Sequence, residues 1–123
     1  MIVLDDQISN RFLASRIERW YPGAVVSIRE RRPHGQILDP EIPSLLCKLR
    51  QPTFVTINYR DFFNRQLLHA DCCLICFKLE QQEQDRLPAL LRDVLRLPEY
   101  RSKAGRMGKI ISWTEAGVTQ LVI

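Results

Sequence analysis

Residues 54–63 read FVTINYRDFF. Phe54, Val55, Thr56 and Ile57 are aromatic or β-branched, the types that suit a pleated, buried strand. The run then meets Asn58, Tyr59, Arg60 and Asp61 before two phenylalanines. The start of the chain, MIVLDDQIS (1–9), repeats the pattern: a short apolar strand over 2–5 finishes in Asp5 and Asp6. Two strands that end in carboxylates are either two ordinary helix caps or two halves of one site. The fold around them decides which.

Working outward, Ile8, Phe12, Leu13, Ile17 and Trp20 recur at helical spacing, and Pro22-Gly23 stops that helix. AVVSI (24–28) is a second strand. Asp39-Pro40-Glu41 opens a helix with a capping acid, proline at the first position and a second acid near the positive end. It runs to about Arg50 with a bend at Pro43, and Pro52 closes it. Strand three covers 53–57, a short helix runs from about Asp61 to Leu68, and strand four covers about 73–79. QQEQDRLPALLRDVLRL (81–97) is a long helix with Leu87, Leu90, Leu91, Val94, Leu95 and Leu97 inward. RSKAGRMGK (101–109) reads as a loop, and TEAG turns a hairpin within the closing KIISWTEAGVTQLVI. Strands alternating with helices predict right-handed βαβ units and a mainly parallel sheet. The expected architecture is a single three-layer αβα domain over residues 1–123, of the α/β class, with a C-terminal antiparallel hairpin.

A chain of 123 residues buries roughly two-thirds of its unfolded surface, enough for its own core. With 46% hydrophobic and 26% charged residues it is not a disordered sequence. No apolar run nears the ~20 residues of a membrane span, and MIVLDD is no signal peptide. The expected location is cytoplasmic, with no membrane partner. The net charge of +4 is carried mostly by arginine, and SIRERRPHG (27–35) gathers Arg29, Arg31, Arg32 and His34. Arginine's planar fork suits phosphate, although +4 permits nucleic-acid binding without demanding it. Cys72, Cys73 and Cys76 lie in DCCLICFKL, which reads as a buried strand; no further Cys or His pair stands at zinc-ligand spacing.

In an open parallel sheet the strand ends that precede crossover helices share one edge, and ligands bind there where the winding reverses. Asp5 and Asp6 end strand one; Asn58 and Asp61 follow strand three; Asp39 and Glu41 open the helix that leads into strand three. Adjacent strands lie roughly 4.8 Å apart, so neighbouring strands would bring these acids within reach of one ion. Clustered carboxylates repel unless a cation joins them. Oxygen donors without Cys or His favour Mg2+ or Mn2+, which lowers the pKa of bound water at a phosphodiester. Arginines of 29–32, or Arg60 and Arg65, are candidates for the flanking phosphates. Each acid also has a purely structural role open to it: Asp39 and Asp61 as helix caps, Glu41 as a first-turn acid, Asp6 as a solvated cap.

MIVLDDQIS, LDPEIPSLLCKL (38–49) and FVTINYRDFF together resemble the small PIN-like domains of bacterial toxin–antitoxin nucleases. That family's pattern is a strand ending in Asp-Glu-Asn-Leu, a helix opened by Asp with an acid nearby, and a T-x-D-x-D-F strand end. The resemblance spans nearly the whole chain. It implies Asp5 as the first metal-binding acid, Asp39 or Glu41 as the middle one and Asp61 as the acid before phenylalanine. The chain departs at Asn58, where the family has an Asp, and carries one extra residue before Asp61. An amide oxygen can ligate Mg2+ but brings no charge. The resemblance further implies divalent-metal-dependent cleavage of RNA, a cognate antitoxin protein and a homodimer.

Two expectations follow. In the first, the chain is an Mg2+- or Mn2+-dependent ribonuclease, the toxin of a pair, with Asp5 and Asp61 as ligands, Asp39 or Glu41 assisting, and Asn58 orienting a ligand or the substrate. In the second, it is a catalytically degraded PIN-like module that binds RNA or a protein partner. A phosphate-receiver domain would need a phosphorylatable Asp where Asn58 stands.

Overall fold

A computed structural model describes residues 1–10, 12–30, 42–46 and 48–123, the side chains of Arg29, Pro43 and Ser44 excepted. Six strands form one sheet in the order β2-β1-β3-β4-β5-β6. They are β1 (Ile2–Leu4), β2 (Val25–Ser27), β3 (Thr53–Thr56), β4 (Cys73–Phe77), β5 (Lys109–Thr114) and β6 (Gly117–Val122). The first five are mutually parallel, and β6 returns antiparallel on β5. The expected mixed α/β sheet with its closing hairpin is what forms.

Alternation along the central strands builds two cores. Ile2 and Leu4, Val55, Cys73, Ile75, Phe77 and Ile111 face one side, where they meet α1 (Leu13–Glu18) and α4 (Leu87–Arg96). Val3, Phe54, Leu74, Cys76 and Ile110 face the other, against α2 (Ile42–Leu46) and α3 (Tyr59–Phe62). Helices on both faces explain why β4 is apolar without interruption: a strand covered twice has no solvent side. Cys73 and Cys76 are simply small hydrophobes within it.

The chain runs from β1 through α1 to β2 on one face. It returns beneath through α2 to β3, then through α3 to β4. These three crossovers share one hand. The fourth does not, because α4 lies on the α1 face while β5 continues outward from β4. Uniformly right-handed units were the expectation, and this crossover departs from that strong preference. Its anchor is visible. Gln84, almost wholly buried, accepts the N–H groups of Ser9 (3.1 Å) and Asn10 (3.2 Å) at Oε1. Its Nε2 donates to the Gln7 carbonyl at 3.3 Å. The turn before α4 is therefore hooked to the β1–α1 connection.

Other boundaries differ for local reasons. The helix expected from residue 8 starts only at Leu13; Gln84 holds the Ser9 and Asn10 N–H groups in the connection before it, and Phe12 is 62% exposed. Residues Gln81–Arg86 form a 3-10 turn and not the first half of a long helix. Pro88 has no N–H with which to continue an α-helical ladder back to Gln84. A short helix, α5 (Lys103–Arg106), stands where a loop was expected, capped by Ser102, whose Oγ accepts the Gly105 N–H at 2.9 Å. Gly108 then enters β5 with φ +77°, and a Cβ there would stand 2.9 Å from the Ile123 side chain.

Candidate active site at the carboxyl edge of the sheet

The strand order places a winding reversal between β1 and β3: from β1 the chain moves outward to β2, then crosses back to β3. In open α/β sheets this is where ligands bind, outside the carboxyl ends of the strands. Asp5 leaves β1 there, and its own N–H donates to the Val55 carbonyl at 2.9 Å. By the alternation of β1 its side chain falls on the α2–α3 face, as does Thr56 on β3.

Hydrogen bonds tie Asp5 to Thr56, Thr56 to the Asn58 main chain, and the Asn58 side chain to Asp61. The Thr56 hydroxyl donates to Asp5 Oδ2 at 2.6 Å and accepts the backbone N–H of Asn58 at 2.9 Å. Asn58 Oδ1 accepts the Asp61 N–H at 3.1 Å, and Asn58 Nδ2 donates to Asp61 Oδ2 at 2.8 Å. Asn58 is thus the N-cap of α3, a role for which asparagine is well suited. It also holds the Asp61 carboxylate in place. The helix starts at Tyr59, two residues before the expected start, and Asp61 lies in its first turn.

Asp5 is 4% exposed, and among the described residues no basic side chain pairs with it. Burial therefore dominates its titration. It pushes the carboxyl up from 3.8 to about 6, against the opposing pull of the Thr56 hydrogen bond and with a further upward push from Asp6. The Cys76 thiol, buried on the same face, is raised by burial, then by Cys73 and by the nearby Asp5. Asp61 is exposed at the rim. One carboxyl is desolvated and the other wet, and Thr56 and Asn58 connect them.

Beside this pair opens a groove of about 310 Å3, lined among others by Asn58, Tyr59, Arg60 and Lys78. Arg60 and Lys78 are exposed. Lys78 Nζ stands 5.7 Å from the centre of the Tyr59 ring, which stacks on Phe63 at 5.3 Å and 12°. The groove offers two cations, the carboxylate of Glu80 and an aromatic face beside Asn58. Arg65 is elsewhere: its Nη1 donates to the Val122 carbonyl at 3.4 Å, at the end of β6 that pairs with the first residue of β5. That is the opposite edge of the sheet. Arg29 follows β2 in a 3-10 turn at the carboxyl edge. Arg31, Arg32, Asp39 and Glu41 lie outside the described residues.

Among the described residues no group of three or more His, Cys, Asp and Glu side chains could hold an ion. The donors present are nonetheless all oxygen, the set that suits a hard cation. Asn58 offers little as a ligand, since its oxygen already accepts the Asp61 N–H. The carboxylates of this rim are Asp5, with Asp6 against it, and Asp61. A buried carboxylate without a counter-charge fits a cation, because an ion removes the cost of ionising it.

Sequence reasoning missed Thr56, Lys78 and Tyr59. A threonine inside a β-branched strand looks like an ordinary strand residue, and only register shows that it faces Asp5. Asn58 as a cap could have been read, since an acid three residues after an asparagine is a helix-start signal. No family model, curated protein or solved structure matches this chain.

Proposed function

We propose that the chain is a PIN-like ribonuclease dependent on Mg2+ or Mn2+, acting on RNA phosphodiesters at the carboxyl edge of the sheet. The observation that carries this reading is Asp5: a buried carboxyl with no basic partner among the described residues, linked through Thr56 and Asn58 to the Asp61 turn at the winding reversal. In this reading Asp5 and Asp61 hold the ion, which supplies a water of lowered pKa and offsets negative charge at the phosphate. Thr56 orients Asp5. Asn58 fixes Asp61 on the first turn of α3 and so holds the second carboxylate before substrate arrives, which is where preorganisation lowers a barrier. Arg60 and Lys78 take the phosphates that flank the scissile one, and Tyr59 offers a face to a base. Asp39 or Glu41 supplies the further acid.

With this reading go a cytoplasmic location, a cognate antitoxin as protein partner and a second copy of the chain. Among the described residues, no helix is long and apolar enough to cross a membrane. Val122 and Ile123, 43% and 69% exposed, are apolar positions at the end of the edge strand β6, where a second copy could pair. RNA cleavage in the presence of Mn2+, by the wild-type chain and by Asp5→Asn, tests the catalytic reading. Cleavage by the first and not the second is expected. Equal cleavage by both, or none by the wild type, overturns it.

A second reading has its own observation. The Asn58 oxygen is used for capping and brings no charge where the nuclease reading wants an acid. A module that binds RNA or a protein without cutting would have this rim and groove and would take up no divalent ion at millimolar levels.

A further inference from the structure

At the other edge of the sheet lies a larger cavity, about 580 Å3, between the Trp20–Gly23 turn, the end of α4 and the segment from Arg101 to Arg106. Arg92, Arg96, Arg101, Lys103 and Arg106 line it, together with Trp20 and Tyr21, and no acidic residue does among the described residues. The negative end of α4 favours the first two cations. It does not account for the other three.

Arg106 is the informative one. It is 2% exposed, yet every acceptor it finds is neutral. Nε donates to Thr53 Oγ1 at 3.0 Å, and Nη1 to the carbonyls of Tyr100 (2.9 Å) and Arg101 (3.3 Å). Nη2 makes no hydrogen bond to the described residues. No enclosed polar side-chain atom among them lacks a partner, so Nη2 is not sealed in, and Arg106 lines the cavity. A buried charge is ordinarily paired, and here the floor of a cationic cavity presents an unpaired guanidinium nitrogen. The same surplus of positive charge acts on Met1. Its amino group, pulled down from 8.0 to about 6 chiefly by burial, is lowered further by Lys103 and Arg106.

We propose that this cavity binds a nucleotide phosphate, held by Arg101, Arg92 and the Arg106 Nη2, with the base against Trp20. The volume is that of a small-ligand site. Guanidinium groups match phosphate oxygens in pairs. Trp20, half-buried and set edge-on to Tyr21 at 6.2 Å, supplies an aromatic surface of the kind that bases stack on. The nucleotide is either free or the phosphorylated end of an RNA; both present a phosphate joined to a base. The site is remote from Asp5 and needs no divalent ion, so it stands or falls separately from the nuclease reading.

Calorimetry and tryptophan fluorescence with inorganic phosphate, AMP, adenosine and a 5′-phosphorylated oligoribonucleotide, all without divalent ions, test it. AMP or the RNA end is expected to bind more tightly than inorganic phosphate, adenosine not at all, and the tighter of the first two identifies the source. Replacing the exposed pair Arg92→Glu and Arg101→Glu should weaken binding by about tenfold or more. Trp20→Ala should bring AMP down to the level of phosphate. Failure of both nucleotide ligands at about 1 mM overturns the proposal. So does full affinity in the double variant, or a short poly-glutamate that binds while the nucleotides do not.

Discussion

Asp5 is the residue on which the proposed chemistry at the carboxyl edge turns, and its titration makes the first prediction. Its folded pKa, about 6, lies above the ordinary 3.8, so between those values the folded chain binds more protons than the unfolded one. Stability therefore falls as pH rises through that window, and the cost of the buried charge persists above it. A shift of this size corresponds to about 3 kcal/mol. Asp5→Asn should remove the slope between pH 4 and 6 and raise stability at pH 7.5 by up to about 3 kcal/mol, read by urea unfolding. An unchanged slope would place the titrating group elsewhere. Thr56 gives the second prediction. Wholly buried, it serves Asp5 and the Asn58 N–H at once. Thr56→Val keeps the shape and strands both partners, so it should cost about 2–4 kcal/mol and more at pH 7.5 than at pH 4. A cost independent of pH would separate Thr56 from Asp5. At this scale Asp5 was legible because an acid ending a buried strand needs a partner. Thr56 was not, because that partnership is made between two strands fifty-one residues apart.

At the scale of elements, the junction of β3 and α3 carries the second carboxylate. Asn58 caps the helix and donates to Asp61 through the same side chain. Asn58→Asp, the residue that the proposed nuclease reading expects at this place, keeps a capping oxygen but sets one carboxylate against another. In the absence of divalent ions it should lower stability on the order of 1 kcal/mol, since Asp61 is exposed. Addition of Mn2+ should reverse the loss, measured as a change in Tm. A loss that Mn2+ leaves untouched would mean that no cation is shared at this junction. Apolar periodicity sufficed to find β1, β3, β4, α4 and the hairpin. The interrupted elements were less legible. Gln84 fixes the connection before the first helix from seventy-five residues away, and Pro88 stands where the 3-10 turn gives way to α4. The hand of the last crossover was not readable either, because the preference for one hand is statistical and the anchor that defeats it is tertiary.

On the scale of the whole molecule, the sheet has two unlike edges. Acids and a groove with Arg60 and Lys78 stand at the carboxyl ends of the strands. Five cations around a cavity stand at the amino ends. The modest net charge of +4 conceals this separation, and composition alone could not reveal it, since only the topology assigns residues to edges. The strand-to-helix alternation was enough to place Asp5 and Asn58 on one edge; the residues forming the other cavity come from a turn, a helix end and a short helix that no motif unites. If the carboxyl edge is a catalytic site, both of its carboxylates must engage one ion. Calorimetric titration of Mn2+ into the wild-type chain and into Asp5→Asn, at pH 6 and pH 7.5, measures that directly. The expected result is uptake at millimolar levels or below by the wild type alone, with protons released at pH 6, where Asp5 is partly protonated in the absence of the ion. No uptake, or equal uptake by the variant, would contradict a metal-dependent role for this edge.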